Sequence, residues 1–224
     1  MYLGIQALMP REPRDVDERV VARIRELGFT GVACRFFQPL ETSMEEVDRL
    51  RGVLEAGGIA PAQANAMYPD LVHPDDAQRR QGIKAMQRMC KIARRLGADN
   101  LYVRPGSLNP AGSWYPHPEN RHPRTRQRLV ASLKEVAAAA EHEGVRLAME
   151  GHVLSPLYSA QVIREVIEAV GSKALGFNMD PVNFVGSVPE AYDTTSLINH
   201  LFDVLGPYTI CGHAKDFFLQ DRLV

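Results

Sequence analysis

Three residues able to bind a metal or move a proton close three successive apolar runs: Glu150 ends Val-Arg-Leu-Ala-Met-Glu, Asp180 ends Leu-Gly-Phe-Asn-Met-Asp, and His213 ends Tyr-Thr-Ile-Cys-Gly-His. Two carboxylates and an imidazole suit a divalent cation, with Mn²⁺, Co²⁺, Zn²⁺, Mg²⁺ or Fe²⁺ left open by residue type alone. A carboxylate after a strand often does no more than cap the next helix. Capping does not account for three such groups at equivalent positions, whereas a reactive rim built from strand ends does.

The elements that would position them follow from periodicity. Strand-like segments lie near residues 2–7, 31–37, 59–65, 100–104, 145–151, 175–180 and 208–213. Helical patterns separate most of them, at residues 15–27, 44–56, 75–96, 123–143, 159–170 and 195–205, and most stop at a glycine. Strand then helix, repeated, is the pattern of parallel βαβ units. The expectation is an α/β protein of the TIM-type (β/α) barrel class, one domain over residues 1–224, lacking the eighth strand–helix unit. Only residues 217–224 follow Asp216, too few for another helix and strand. A seven-stranded barrel would leave two open edges. The expectation is therefore a longer gene product, or a terminal segment or second chain over the gap, with weak metal binding by these residues alone.

Side-chain parity narrows the site. Alternate strand residues face opposite ways, which puts Gln6, Arg35, Asn65, Arg104, Glu150, Asp180 and His213 around one mouth. Ala148 and His152 share the face of Glu150, Asn178 that of Asp180, Cys211 and Lys215 that of His213, Tyr102 that of Arg104, and Gln63 that of Asn65. The bulky apolar residues of the other parity would pack beneath the helices. His152 is balanced between a substrate contact and a solvated loop residue. Arg35 and Arg104 would be costly buried cations without an anionic partner. They would pair with Glu150 or Asp180, or bind a substrate phosphate or carboxylate, Arg104 being the favoured substrate contact. The irregular stretch 105–123 follows the fourth strand and belongs on the active face; its His117 is the one other histidine placed where it could cover a ligand.

Composition bounds the alternatives. The chain has 224 residues, 45% hydrophobic and 24% charged, with a formal net charge of -1. No global electrostatic attraction to nucleic acid or membrane is expected from that balance. The three cysteines, Cys34, Cys90 and Cys211, are widely spaced, which argues for a reduced, cytoplasmic setting rather than a disulfide framework. The sequence contains no Gly-rich phosphate loop, nucleophile-elbow serine or His-Glu-x-x-His helix.

At these residues the chain resembles the sugar phosphate isomerase/epimerase superfamily of xylose isomerase-like TIM barrels, over almost its whole length. The motifs are a Glu ending strand five, Asp-x-x-(His/Asn) ending strand six, and His-x-Lys-Asp ending strand seven, here His213-Ala214-Lys215-Asp216. The resemblance implies that Glu150, Asp180 and His213 ligate a divalent metal and that Glu150 doubles as acid/base. It also brings Asn183 to substrate, where many members have a histidine; the reading of the residues themselves adds Arg104, His152, Asn65 and Lys215 as expected substrate contacts. The family's fourth ligand, a Glu ending strand eight, has no counterpart before Val224. The expected activity is a metal-dependent isomerase or epimerase of a small sugar, keto-sugar or polyol derivative through an enediolate. Its alternatives are a dehydratase of an inosose-like substrate and a catalytically silent sugar-binding barrel. The expected partner is a small-molecule substrate, without membrane or nucleic acid, with a homo-oligomer left open; the related endonuclease activity is disfavoured for want of extra histidines and a basic surface.

Overall fold

A computed structural model describes residues 2–220 and shows seven parallel strands in sequence order, each hydrogen-bonded to the next. They are β1 (Gly4–Ile5), β2 (Gly31–Phe36), β3 (Ala60–Ala66), β4 (Leu101–Val103), β5 (Leu147–Met149), β6 (Leu175–Met179) and β7 (Thr209–Gly212). Helices α1 (Glu18–Glu26), α2 (Met44–Ala56), α3 (Asp76–Leu96), α4 (Pro123–Glu143) and α5 (Ala160–Val170) follow the first five strands in turn, and α6 (Val188–Tyr192) and α7 (Thr194–Leu205) follow β6. The result is a TIM-type half-barrel with helices outside. Among the described residues β1 and β7 do not pair and no eighth strand–helix unit is present. Val224 and the three residues before it lie outside the described residues.

Local sequence sets the boundaries. Asp17, Ser43, Asp75, Ser159 and Asp193 each accept a backbone N–H in the first turn of the helix they precede, satisfying donors that helix geometry leaves free. Asp17 explains why α1 starts three residues later than its apolar periodicity predicts: residues 13–15 form a 3₁₀ turn behind the cap. The first strand is shorter than the predicted 2–7, because the chain turns after Ile5 and Met9 N donates to the Gln6 carbonyl at 3.0 Å. The five-residue α6, with Pro189 in its first turn, had no periodicity long enough to read.

The core lies between strands and helices, as parity requires. Val32, Leu101, Val103, Leu147, Met149 and Phe177 are fully buried against Ile24, Leu50, Met86, Met89, Leu133 and Ile163. Register then carries the other parity into the barrel, with Ala33 opposite Gln63, Arg35 opposite Asn65, Tyr102 opposite Ala148 and Asn178 opposite Cys211. No helix among the described residues is long and apolar enough to cross a membrane.

Candidate functional site

Glu150, Asp180 and His213 converge at the C-terminal ends of β5, β6 and β7, each offering a ligand atom within 4.8 Å of the others. Their carboxylates are almost wholly enclosed, at 2% exposure for Glu150 and 1% for Asp180, so each needs compensating partners. Glu150 Oε2 accepts from the Tyr102 hydroxyl at 2.5 Å, and Oε1 accepts from Asn178 Nδ2 at 2.8 Å and lies 2.9 Å from His213 Nδ1. Asp180 Oδ2 pairs with Lys215 Nζ at 2.9 Å and approaches His213 Nδ1 at 3.6 Å. Asp180 Oδ1 is buried with no hydrogen-bond partner among the described residues.

The electrostatics follow from this packing. Burial acts to lower the His213 pKa, but hydrogen bonds to Asp180 and Glu150 outweigh it and raise it to about 9. An imidazolium here would donate from Nδ1 to Glu150 Oε1 and from Nε2 to Gln63 Oε1 at 3.1 Å, while the Asn178 amide nitrogen also stands 3.1 Å from Nδ1. Burial would raise the Asp180 pKa, yet hydrogen bonds from His213 and Lys215 together with the lysine charge hold it below the ordinary value. Burial and the Glu150 charge push Tyr102 well above the usual phenol range, so its hydroxyl serves as a donor.

A polar layer supports the cluster from below. Gln63 Nε2 donates to Asn100 Oδ1 at 2.9 Å, Asn100 Nδ2 donates to the Ala62 carbonyl at 3.1 Å, and Cys211 Sγ lies 2.8 Å from Asn178 Oδ1. Gln63 and Asn178 are thereby fixed to meet His213 and Glu150 respectively. Gly151 gives the chain its exit after Glu150: a Cβ there would fall 2.5 Å from Ile163 Cδ1 and 2.7 Å from both the Leu157 carbonyl and the Phe184 ring.

Other residues singled out from sequence distribute unevenly around this centre. Lys215 reaches both Asp180 and Asn183, whose Oδ1 accepts from its Nζ at 2.6 Å, while Asn183 Nδ2 stays buried without a partner among the described residues. His152 meets Trp114 edge-on at 5.4 Å between ring centroids, and burial followed by the Lys215 charge lowers its pKa. Asn65 is buried on the inward face of β3, opposite Arg35. His117 caps the 3₁₀ turn at residues 118–121 through its Nδ1, and the neighbouring Trp114 is the ring that reaches His152.

Arg104 departs from both pairings considered for it. Its guanidinium stacks on Tyr68 at 4.2 Å, donates to the Tyr68 carbonyl and lies 3.4 Å from Asp70, not beside Glu150 or Asp180. Asp70 also accepts from Ser113 at 2.5 Å and from the Ser107 backbone, so Arg104 ties β4 to the loops on either side. That acid sits in an aperiodic loop where sequence spacing carried no signal. Sequence reasoning also gave no role to Tyr102, Asn178 and Gln63. Parity had already turned all three inward; what it lacked was a reason to rank a phenol or an amide beside the carboxylates.

The donor set fits a divalent cation. Two ionisable carboxylates and an imidazole stand within mutual reach, and the orphaned Asp180 Oδ1 is a buried lone-pair donor lacking any proton donor.

Comparison with known proteins gives the fold a family. The model of the xylose isomerase-like TIM barrel family matches residues 21–220. Among solved structures, 3-keto-D-glucoside 4-epimerase from E. coli is 17% identical with a TM-score of 0.71, over 95% of this chain and 78% of that one. D-psicose 3-epimerase from Clostridium cellulolyticum H10, with D-tagatose, is 16% identical with a TM-score of 0.71, over 93% and 71%. A xylose isomerase-like TIM barrel protein from Mycobacterium smegmatis in complex with magnesium is 20% identical with a TM-score of 0.70, over 96% and 74%. At such identities the likeness is one of fold. No curated protein matches the chain in sequence.

Proposed function

Because the chain belongs to the xylose isomerase-like TIM barrel family, we propose that this enzyme is a divalent-metal-dependent isomerase or epimerase of a small sugar, keto-sugar or polyol derivative, acting through an enediolate. The observation that carries this reading is the junction at Glu150: an enclosed carboxylate, oriented by Tyr102 and Asn178, shares one cluster with Asp180 and His213. The epimerases among its structural neighbours support the same class.

Glu150, Asp180 and His213 would hold the cation, which when bound supplies a Lewis acid for vicinal carbonyl and hydroxyl oxygens. The chain's own residues do the rest. Glu150 takes the proton from the carbon next to the carbonyl, leaving an enediolate, and returning the proton completes an isomerisation. Tyr102 and Asn178 fix the plane of that carboxylate, so the proton is met in one geometry. Lys215 holds Asp180 ionised and presents Asn183 to substrate hydroxyls. His152, backed by Trp114, forms one wall of the substrate pocket and Asn65 another. Arg104 acts as a positioning residue for the loops around that pocket.

Assay of a panel of ketoses and inososes, with Mn²⁺ and after chelation, tests this reading. The expected result is interconversion of at least one ketose pair that chelation abolishes and Glu150→Gln reduces by roughly 10²–10⁴-fold, the usual contribution of a positioned acid/base. Loss of water from an inosose without ketose interconversion would move the assignment to a dehydratase. No turnover of any panel member with any divalent metal would overturn it.

A further inference from the structure

We propose that the cavity at the C-terminal ends of β1 and β2 is an anion subsite of the substrate pocket, where Arg35 and Arg11 take the phosphate or carboxylate of an acidic sugar. This inference rests on the sugar isomerase/epimerase reading and names the class of sugar. The cavity has a volume of about 580 Å³ and is walled by Gln6, Met9, Arg11, Ala33, Arg35 and Phe37 among others, a size suited to a small-molecule site.

Two guanidinium groups share this cavity and lean on one aromatic ring, with Arg11 Cζ 4.5 Å and Arg35 Cζ 5.6 Å from the Phe37 centroid. Both side chains are exposed, Arg35 against the expectation of a buried cation, and neither has a strong anionic partner among the described residues. Among the described residues Arg35 forms no ion pair; Gln6, its amide oxygen turned to the guanidinium, accepts from Arg35 Nε at 3.0 Å. Arg11 has one carboxylate nearby, Glu12 at 3.6 Å, and its own side chain is 75% exposed. A surface pair of that kind is weak. Arg104, the other arginine on this inward parity, is stacked on Tyr68 and paired with Asp70, so its charge is met within the protein, although its buried Nε has no partner among the described residues.

Two like charges over one ring repel, and the ring face offsets only part of that. A phosphate or carboxylate between them would accept forked hydrogen bonds from both. The hydroxyls of a neutral sugar would leave the repulsion in place. Strand register relates the cavity to the candidate centre. Ala33 and Arg35 stand opposite Gln63 and Asn65 in the β2–β3 register, and Gln63 touches His213. An anionic group held here therefore directs the rest of the sugar along the inward face toward Glu150.

Calorimetric binding without turnover tests this, using inorganic phosphate, a ketose, its terminal phosphate ester and the corresponding sugar acid, at low and high salt. The expected result is an affinity for one of the two acidic sugars at least about tenfold above that of the neutral ketose, the ratio that roughly 1.4 kcal/mol of differential binding gives. Salt should reduce that ratio, and Arg35→Gln and Arg11→Gln should each move it toward one, while circular dichroism shows both variants folded. A stronger preference for the ester assigns a phosphate, and for the acid a carboxylate. Equal affinity for neutral and acidic sugars, a ratio unchanged in both variants, or no binding of any anion at millimolar concentration would overturn the proposal. The measurement reads no turnover, so failure of the isomerase reading would appear separately, as absent catalysis with the anion preference intact.

Discussion

At Tyr102 a single oxygen decides how Glu150 is held. The 2.5 Å hydrogen bond to Oε2 joins a neutral phenol to a buried carboxylate, and bonds to charged groups are worth about 1.5–3 kcal/mol. Tyr102→Phe should therefore lower kcat by roughly 10–100-fold, with a smaller change in KM, in steady-state assays on whichever sugar proves to be the substrate; an unchanged kcat would remove the phenol from the site. His213 sets a pH dependence. Its pKa is about 9 when folded against an ordinary 6.5. A raised folded value means that its contribution to stability is complete below about 6.5 and is lost as pH rises through about 9. Metal and proton compete for the same imidazole, so apparent metal affinity should rise over that window and binding should release a proton. Calorimetry in buffers of different ionisation enthalpy reads that proton directly. The ligand-capable trio was legible in sequence because each member ends an apolar run. Tyr102, Gln63 and Asn178 were legible only as inward-facing, since their roles depend on distances between strands remote in sequence.

Element by element, the turn after β5 carries the tightest constraint on the site. A methyl group at Gly151 would collide with Ile163, Leu157 and Phe184, and overpacking of this kind costs about 1–3 kcal/mol. Gly151→Ala should lower the melting temperature and, by shifting Glu150, depress activity in the fraction that stays folded. Wild-type thermal stability in that variant would mean that α5 and the 3₁₀ turn after β6 yield without cost. Arg104 makes a contrasting case. Its contacts with Tyr68 and Asp70 knit loops together, so Arg104→Ala should reduce thermal stability while leaving KM within about threefold of wild type, a difference below roughly 1 kcal/mol. A larger rise in KM at unchanged stability would return it to direct substrate binding. Helix starts marked by Asp or Ser caps were readable to within a residue or so, except that of α1, which lies three residues further on behind a 3₁₀ turn. The first strand was not, because apolar alternation runs through residues 2–7 whereas pairing with β2 extends only over Gly4–Ile5.

For the whole molecule, the open gap between β1 and β7 is the feature that most affects behaviour. Among the described residues, backbone groups on the outer sides of these strands lack the ladder partners that β2 to β6 have on both sides, and unpaired edges template association. Amide hydrogen exchange should be fastest among the strands at β1 and β7 and slowest in β4 and β5, under conditions where the fold stays native. Uniform protection across all seven would mean that something covers the gap in solution. Barrel class was legible because the strand–helix alternation repeats along the chain, and the half-barrel followed from counting those repeats. Which sugar fits was not, since pocket shape is made by loops such as residues 105–123, whose order comes from Asp70, Ser107 and Asn120 contacts that no periodicity announces. The central claim, that Glu150 moves a carbon-bound proton with a metal beside it, is tested most directly by solvent deuterium exchange. Ketoses incubated with the Mn²⁺-loaded enzyme in D₂O should incorporate deuterium at the carbon next to the carbonyl, seen by proton NMR after removal of the metal, and Glu150→Gln should abolish that signal. Exchange that persists undiminished in Glu150→Gln, or its absence from every ketose with the metal-loaded wild type, would contradict the account.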